Sequence, residues 1–207
     1  MKILVACLFL LFAAGSNKLS AQETAVKKQT ARQIISQIKT HLTCQWSQKT
    51  VDTFKTGNPD DLVTGIVVCM FADMETLRKA VAQKCNLLIV HEPTFYNHLD
   101  QTDQLEDNPV YQKKSEYIKK NKLIIFRFHD HWHRTVPDGI YTGMIDKLGW
   151  KVNQTDSSML FFRFGEQTVG EFAQKLQETL KGSELRIVGD PLMRFTKVAL
   201  AVGAPGA

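Results

Sequence analysis

Residues 86–93 read NLLIVHEP and residues 123–133 read LIIFRFHDHWH, and these two stretches decide the fold. Each begins with a short run of apolar side chains, which is typical of a strand buried on both faces. Each ends in histidine and acidic residues. A helix-like segment over residues 109–121 separates them. The order strand, helix, strand predicts two parallel neighbours in one sheet, joined by a right-handed crossover.

The segments around this unit extend the same alternation. We predict helices over 31–42, 74–84 and 140–148 and a further buried strand over 64–70. Beyond residue 150 we predict strands over 159–164, 184–188 and 197–202 and a helix over 168–180. The sequence therefore predicts an α/β fold with a mostly parallel sheet, helices on both of its faces, and a smaller second α/β part.

Composition places the chain among ordinary globular proteins. Of its 207 residues, 43% are hydrophobic and 23% are charged, which is enough apolar surface for a core and argues against disorder. The net charge of +5 is spread along the chain without a basic stripe, so we expect no nucleic-acid partner. Four cysteines are too few for a disulfide scaffold.

The N-terminus has the pattern of a secretory signal peptide. A positive start at Lys2 precedes an apolar run over residues 3–14, which is too short to cross a bilayer, and small residues follow at Ser20 and Ala21. We expect cleavage, a periplasmic or secreted chain, and no membrane contact after cleavage. An uncleaved anchor or a lipid on Cys7 remains open as an alternative.

We divide the chain on this basis into four parts. Residues 1–21 are the signal peptide and residues 22–30 a flexible N-terminus. Residues 31–150 form an α/β domain that carries the metal site, and residues 151–207 begin a second, incomplete α/β domain.

The polar residues that follow the two strands predict a metal site. The carboxyl ends of neighbouring parallel strands lie on the same edge of a sheet, and ligands of open α/β sheets bind at that edge. Imidazole and carboxylate donors suit zinc, iron or manganese, and a cation would hold converging imidazoles neutral. An extended backbone would place His129, His131 and His133 on one face. A metal-free acid–base pocket or a pH-sensitive patch is the alternative.

The candidate donors outnumber the ligands of a single zinc ion, which has three or four. They are His91, Glu92, His98, His129, Asp130, His131 and His133. Two metal ions could take all of these side chains as ligands, or one ion could take some of them while the others act as acid–base groups beside it. We predict Asp130 and His131 as catalytic groups that orient water or move a proton. Arg127 lies inside an apolar strand and needs a partner, so we predict it, with His98, as a substrate contact.

Several stretches resemble the Nif-three-like family of dinuclear metal-centre proteins, whose members often carry the name GTP cyclohydrolase I type two. The similar stretches are residues 64–66, 77–80 and above all 85–95 (CNLLIVHEPTF), with residues 188–191 and 197–200 near the end. The family has His-His-Pro where this chain has His91-Glu92-Pro93. It has a histidine and an aspartate four residues apart where this chain has His129 and His133.

This resemblance implies the ligand set His91, Glu92, His129 and His133. Relative to the family, Glu92 replaces a histidine and His133 replaces an aspartate. It also implies two divalent ions, a two-part α/β fold, and homo-oligomers, namely hexamers built from dimers. Family members end with a His-x-x-x-Glu pair that completes the site. This sequence stops before such a pair, so we expect either that a C-terminal part is missing or that other residues complete the site.

Two classes of function follow from these expectations. The first is a metal-dependent hydrolase that acts on a nucleotide-like small molecule, a phosphoester or an amide. The second is a non-catalytic oligomeric scaffold that binds or handles metal. Metal analysis followed by a test for chelator-sensitive turnover separates them.

Overall fold

The structure is a computed structural model that describes residues 28–157 and 160–203. Its helices and strands are, in chain order, α1 (Ala31–Thr40), β1 (Phe54–Thr56), β2 (Ile66–Cys69), α2 (Met74–Ala82), β3 (Leu87–Val90), α3 (Pro109–Lys120), β4 (Ile124–Arg127), α4 (Asp130–Arg134), α5 (Gly139–Leu148), β5 (Phe161–Thr168), α6 (Val169–Leu180) and β6 (Arg194–Ala199). The predicted signal peptide lies outside the described residues. Within them, no helix combines the length and the apolar character that crossing a membrane requires.

The central sheet has four strands in the order β1-β4-β3-β2. Strands β2, β3 and β4 are parallel and in register, with Leu87 opposite both Ile66 and Ile124. Strand β1 is antiparallel to β4 and forms one edge of the sheet. Every residue of β3 and β4 is buried, as the continuous apolar runs predicted. The predicted α/β fold with a mostly parallel sheet is therefore confirmed.

Helices cover both faces of this sheet and each face has its own core. On one face α2 and α3 pack Leu77 and Ile118 against the strand residues Leu88 and Ile125. On the other face α1 packs Ile35 against strand residues that include Phe126. Burying a side chain of this size removes it from water at a gain of about 1.5–3 kcal/mol, so these two layers fix where the ends of β3 and β4 lie.

The smaller part consists of the antiparallel pair β5–β6 and helix α6. Its core is aromatic: Trp150 lies 5.2 Å from Phe162 and 5.4 Å from Phe172 between ring centroids. The predicted strand over 184–188 is wrong, because those residues form no strand and are exposed. Strand β6 pairs with β5 instead, so the alternating apolar residues of 184–188 have no partner strand among the described residues.

Candidate metal centre

The structure brings three histidines from the two predicted segments together. His91 follows β3, and His129 and His133 follow β4. One ligand nitrogen from each of these rings lies within 4.8 Å of the other two. The Nε2 atoms of His91 and His133 are 3.2 Å apart. The ring centroids of His91 and His129 are 4.5 Å apart. We call these three residues the histidine cluster, and it could form a metal site.

The backbone that presents His129 and His133 is helical, so the extended arrangement predicted for residues 129–133 is wrong. Helix α4 begins directly after His129. Residues four apart on a helix lie on the same side, which points His129 and His133 to one centre and turns His131 away. The cause is Asp52, whose carboxylate accepts the backbone N–H groups of His129, Asp130 and His131 at 2.7, 2.9 and 2.9 Å.

Carboxylates hold the second ring nitrogen of both His129 and His133. The Nδ1 atom of His129 lies 3.0 Å from Oδ1 of Asp130. The Nδ1 atom of His133 lies 3.1 Å from Oδ2 of Asp138. A carboxylate only accepts, so each Nδ1 is the donor and each Nε2 is the nitrogen left for a metal ion. This is the arrangement by which proteins orient metal-binding histidines.

Asp130 itself is held firmly in the charged form. Its Oδ2 accepts the Thr50 hydroxyl at 2.8 Å and the Val51 N–H at 3.1 Å. Partial burial alone would raise the pKa of this carboxyl, but the hydrogen bonds from His129, Val51 and Thr50 outweigh it and lower the pKa to about 2. Asp130 is therefore an acceptor that positions His129 at neutral pH.

His91 reaches the cluster from the neighbouring strand. Its Nδ1 atom lies 3.3 Å from the carbonyl oxygen of Phe128, so this nitrogen is the donor and Nε2 faces the other two rings. Burial lowers the pKa of the His91 imidazole, and the nearby rings of His129 and His133 lower it further. The ring is thus neutral at pH 7, which is the form that binds a metal ion.

His131 is not part of the histidine cluster. Its side chain is fully buried, with Nδ1 2.6 Å from Asp52 and with Nε2 accepting the N–H of Ser47 at 2.8 Å. Its ring stacks on Trp46 at 3.7 Å between centroids. Because both ring nitrogens are engaged, His131 holds the loop before β1 against α4. Sequence reasoning missed Asp52, Ser47 and Trp46, which belong to no recognisable motif.

The remaining predicted site residues lie beside the cluster. Arg127 is fully buried and donates to the carbonyl oxygen of His91 at 3.1 Å and to that of His98. Glu92 is outside the group of three, and its carboxylate lies 3.9 Å from the Arg127 guanidinium. The His98 ring is 5.3 Å from the His129 ring. Arg127 therefore ties the loop after β3 to β4, with Glu92 and His98 next to it.

An apolar cavity borders the histidine cluster. It has a volume of about 430 Å³, and the residues around it include His91, Met70, Phe128, Trp132 and Ile140. Trp132 packs against Gly139, where an added Cβ would lie only 2.2 Å from the indole ring. Within the histidine cluster, His91 is the residue that lines this cavity.

Comparison with known proteins agrees with this fold. A GTP cyclohydrolase 1 type 2 homolog of Mycoplasmopsis pulmonis is 32% identical over 75 residues, which is 36% of this chain and only 29% of that protein. The hypothetical protein SA1388 of Staphylococcus aureus has a TM-score of 0.65 at 14% identity, covering 83% of this chain and 71% of its own. A Bacillus cereus protein related to NIF3 has a TM-score of 0.64 at 15% identity, covering 84% and 76%.

The family comparison covers all the described residues. The family model described as Duf34/NIF3 (NGG1p interacting factor 3) matches residues 27–206. This match includes both sheets and every member of the histidine cluster, and it confirms the resemblance found in the sequence. The chain belongs to the DUF34/NIF3 family.

Proposed function

We propose that this protein binds a divalent transition metal through the Nε2 atoms of His91, His129 and His133. The observation that carries the proposal is that each Nδ1 atom has an oxygen acceptor, so that all three Nε2 atoms remain available. Two nitrogens bound tetrahedrally to zinc at about 2.0–2.1 Å would lie about 3.3 Å apart. The separation of the His91 and His133 Nε2 atoms is 3.2 Å, which suits such an ion.

We further propose that the metal serves a hydrolase acting on a small phosphoester, nucleotide-like or amide substrate. Three protein ligands leave a coordination position open, as in catalytic zinc sites. A metal bound there would lower the pKa of a water molecule and polarise a phosphoryl or carbonyl oxygen. The apolar cavity beside His91 supports this proposal because it offers room for the substrate. A second ion would need Glu92 and donors outside the histidine cluster.

The non-catalytic alternative has a specific observation in its favour. Three residues predicted for catalysis or substrate binding already have protein partners: Asp130 holds His129, His131 is enclosed, and Arg127 is bound to backbone carbonyls. Among the described residues, these groups are therefore not free to move a proton or to bind a substrate. A scaffold that only holds metal needs no such groups.

Metal analysis of purified variants tests the binding proposal. We expect the wild-type protein to hold zinc, iron or manganese and His133→Ala to lose most of it, measured by elemental mass spectrometry and by zinc titration. His41→Ala is the matched control, because His41 is exposed at the end of α1 and is not a member of the cluster. Equal metal content in wild type and His133→Ala would overturn the proposal.

Turnover then separates the two classes. The metal-loaded protein is assayed on a panel of phosphodiesters, phosphomonoesters and amides, with and without a chelator. A hydrolase shows turnover that the chelator abolishes and that His133→Ala lacks. Full metal occupancy with no chelator-sensitive turnover would favour the scaffold.

A further inference from the structure

We propose that a second cavity, between α3 and β1, binds a small phosphorylated molecule that carries a flat ring. The cavity has a volume of about 450 Å³. Six of the residues that line it carry the proposal: Lys55, Phe95, Tyr111, Ser115, Lys119 and Lys122. None of them belongs to the histidine cluster, so the proposal does not depend on the metal.

Three lysine side chains supply the positive charge of this cavity. Lys55 comes from β1, Lys119 from the last turn of α3, and Lys122 from the turn after it. Within the described part of the chain, none of the three ammonium groups forms a hydrogen bond or an ion pair. Lys55 is half-buried, and this burial lowers its pKa. The Asp100 carboxylate acts in the opposite direction without forming an ion pair with Lys55. A phosphate in contact with the Lys55 ammonium group would offset the rest of the burial cost.

The two acidic residues that line the cavity, Asp61 and Asp100, direct their oxygens to neutral N–H groups and form no ion pair with the three lysines. The Asp100 carboxylate accepts the backbone N–H groups of Thr94 and Phe95 at 2.8 and 2.7 Å. The Asp61 carboxylate accepts the side-chain amide of Asn58 at 2.9 Å. Three lysines against two carboxylates leave the lining with an excess of positive charge, which favours an external anion such as a phosphate.

The other lining residues indicate the rest of the ligand. Phe95 and Tyr111 form an edge-to-face pair with centroids 5.0 Å apart, and Ile118 and Leu123 continue the apolar wall. Such a wall favours a flat ring. The Ser115 hydroxyl is buried and has no hydrogen-bond partner among the described residues, so a polar atom of the ligand would satisfy it.

Phenyl phosphate is the simplest probe that combines the two features. We expect isothermal titration calorimetry to detect its binding to the full chain, with weaker binding of inorganic phosphate or phenol alone. Lys55→Met keeps the length of the side chain and removes its charge, and we expect it to weaken binding by about tenfold or more, as for other charged hydrogen bonds. Lys113→Met is the control, because Lys113 is exposed on α3 outside the cavity.

Three results would overturn the proposal. They are no binding by the wild type, equal affinity of wild type and Lys55→Met, and binding that His133→Ala abolishes while Lys55→Met retains it. The last result would assign the anion to the histidine cluster. Should Lys55→Met not fold, the double variant Lys119→Met/Lys122→Met decides, since both residues are exposed. Unchanged affinity in that variant rejects the proposal.

Discussion

Replacing Asp52 with asparagine should destabilise the whole protein, although the change keeps the shape of the side chain. Asp52 is buried and its two oxygens accept four N–H groups. Oδ1 accepts the backbone N–H groups of His129 and Asp130. Oδ2 accepts the backbone N–H of His131 and the Nδ1–H of its ring. An asparagine has one acceptor oxygen, and its other terminal atom is a donor.

The size of the effect follows from counting the groups left without an acceptor. Whichever way the new amide points, its NH₂ group faces two N–H donors. A buried polar group that loses its partner costs about 1–3 kcal/mol, so the two together cost roughly 2–6 kcal/mol. The free energy of unfolding of a natural protein is itself only about 5–15 kcal/mol. We therefore expect Asp52→Asn to lose a large part of its stability.

Urea denaturation followed by tryptophan fluorescence measures this loss. The slope of such transitions is about 1–3 kcal/mol per molar urea, so the midpoint should fall by about 1 M or more. Asp60→Asn is the control, because Asp60 is exposed and pairs with Arg32 at the surface. Surface pairs contribute little to stability, and this variant should unfold close to wild type. Equal midpoints for the two variants would refute the reasoning about Asp52.

Three further predictions concern the metal centre and its surroundings. Asp138→Asn removes the carboxylate that orients His133 and should weaken zinc binding about 10–100-fold in a chelator competition; unchanged affinity would contradict this. Gly139→Ala places a Cβ against Trp132 and should cost about 1–3 kcal/mol of stability, whereas Gly143→Ala, which has open space in the same helix, should be neutral or stabilising. Equal melting temperatures for Gly139→Ala and Gly143→Ala would contradict the predicted clash between the new Cβ and Trp132. Removing metal with a chelator should lower the melting temperature of the wild type, and one equivalent of zinc should restore it.

The sequence predicts the meeting of His91 and His129 because a single topological rule governs it. Parallel neighbouring strands end on the same edge, and the apolar runs before both histidines identify the strands. No knowledge of side-chain contacts was needed. The prediction failed at the next level of detail, where the conformation of residues 129–133 decides which histidines converge.

That conformation depends on a residue distant in the sequence. Asp52 lies 77 residues before His129, and nothing around it marks it as the acceptor that starts α4. The three histidines of the segment look alike in the sequence, yet contact with Asp52 makes His131 a buried structural residue. Local patterns carry periodicity and propensity, whereas pairing across such a distance depends on the packed fold.

Arg127 shows the same limit for a charged side chain. Its place in an apolar strand correctly indicates that it needs partners, since burying an unpaired charge is unfavourable. The sequence assigns it to a substrate contact, but the guanidinium donates to the carbonyl oxygens of His91 and His98. Backbone carbonyls are present at every position, so no sequence pattern shows that an arginine will pair with them.

The support that Asp52 gives to α4 has a consequence for protein engineering. Copying residues 129–133 onto another scaffold would transfer the imidazoles without the acceptor that starts their helix. That acceptor is the Asp52 carboxylate, which lies in the loop before β1. A transplant that keeps its metal affinity must therefore carry residues 47–52 together with the two strand ends.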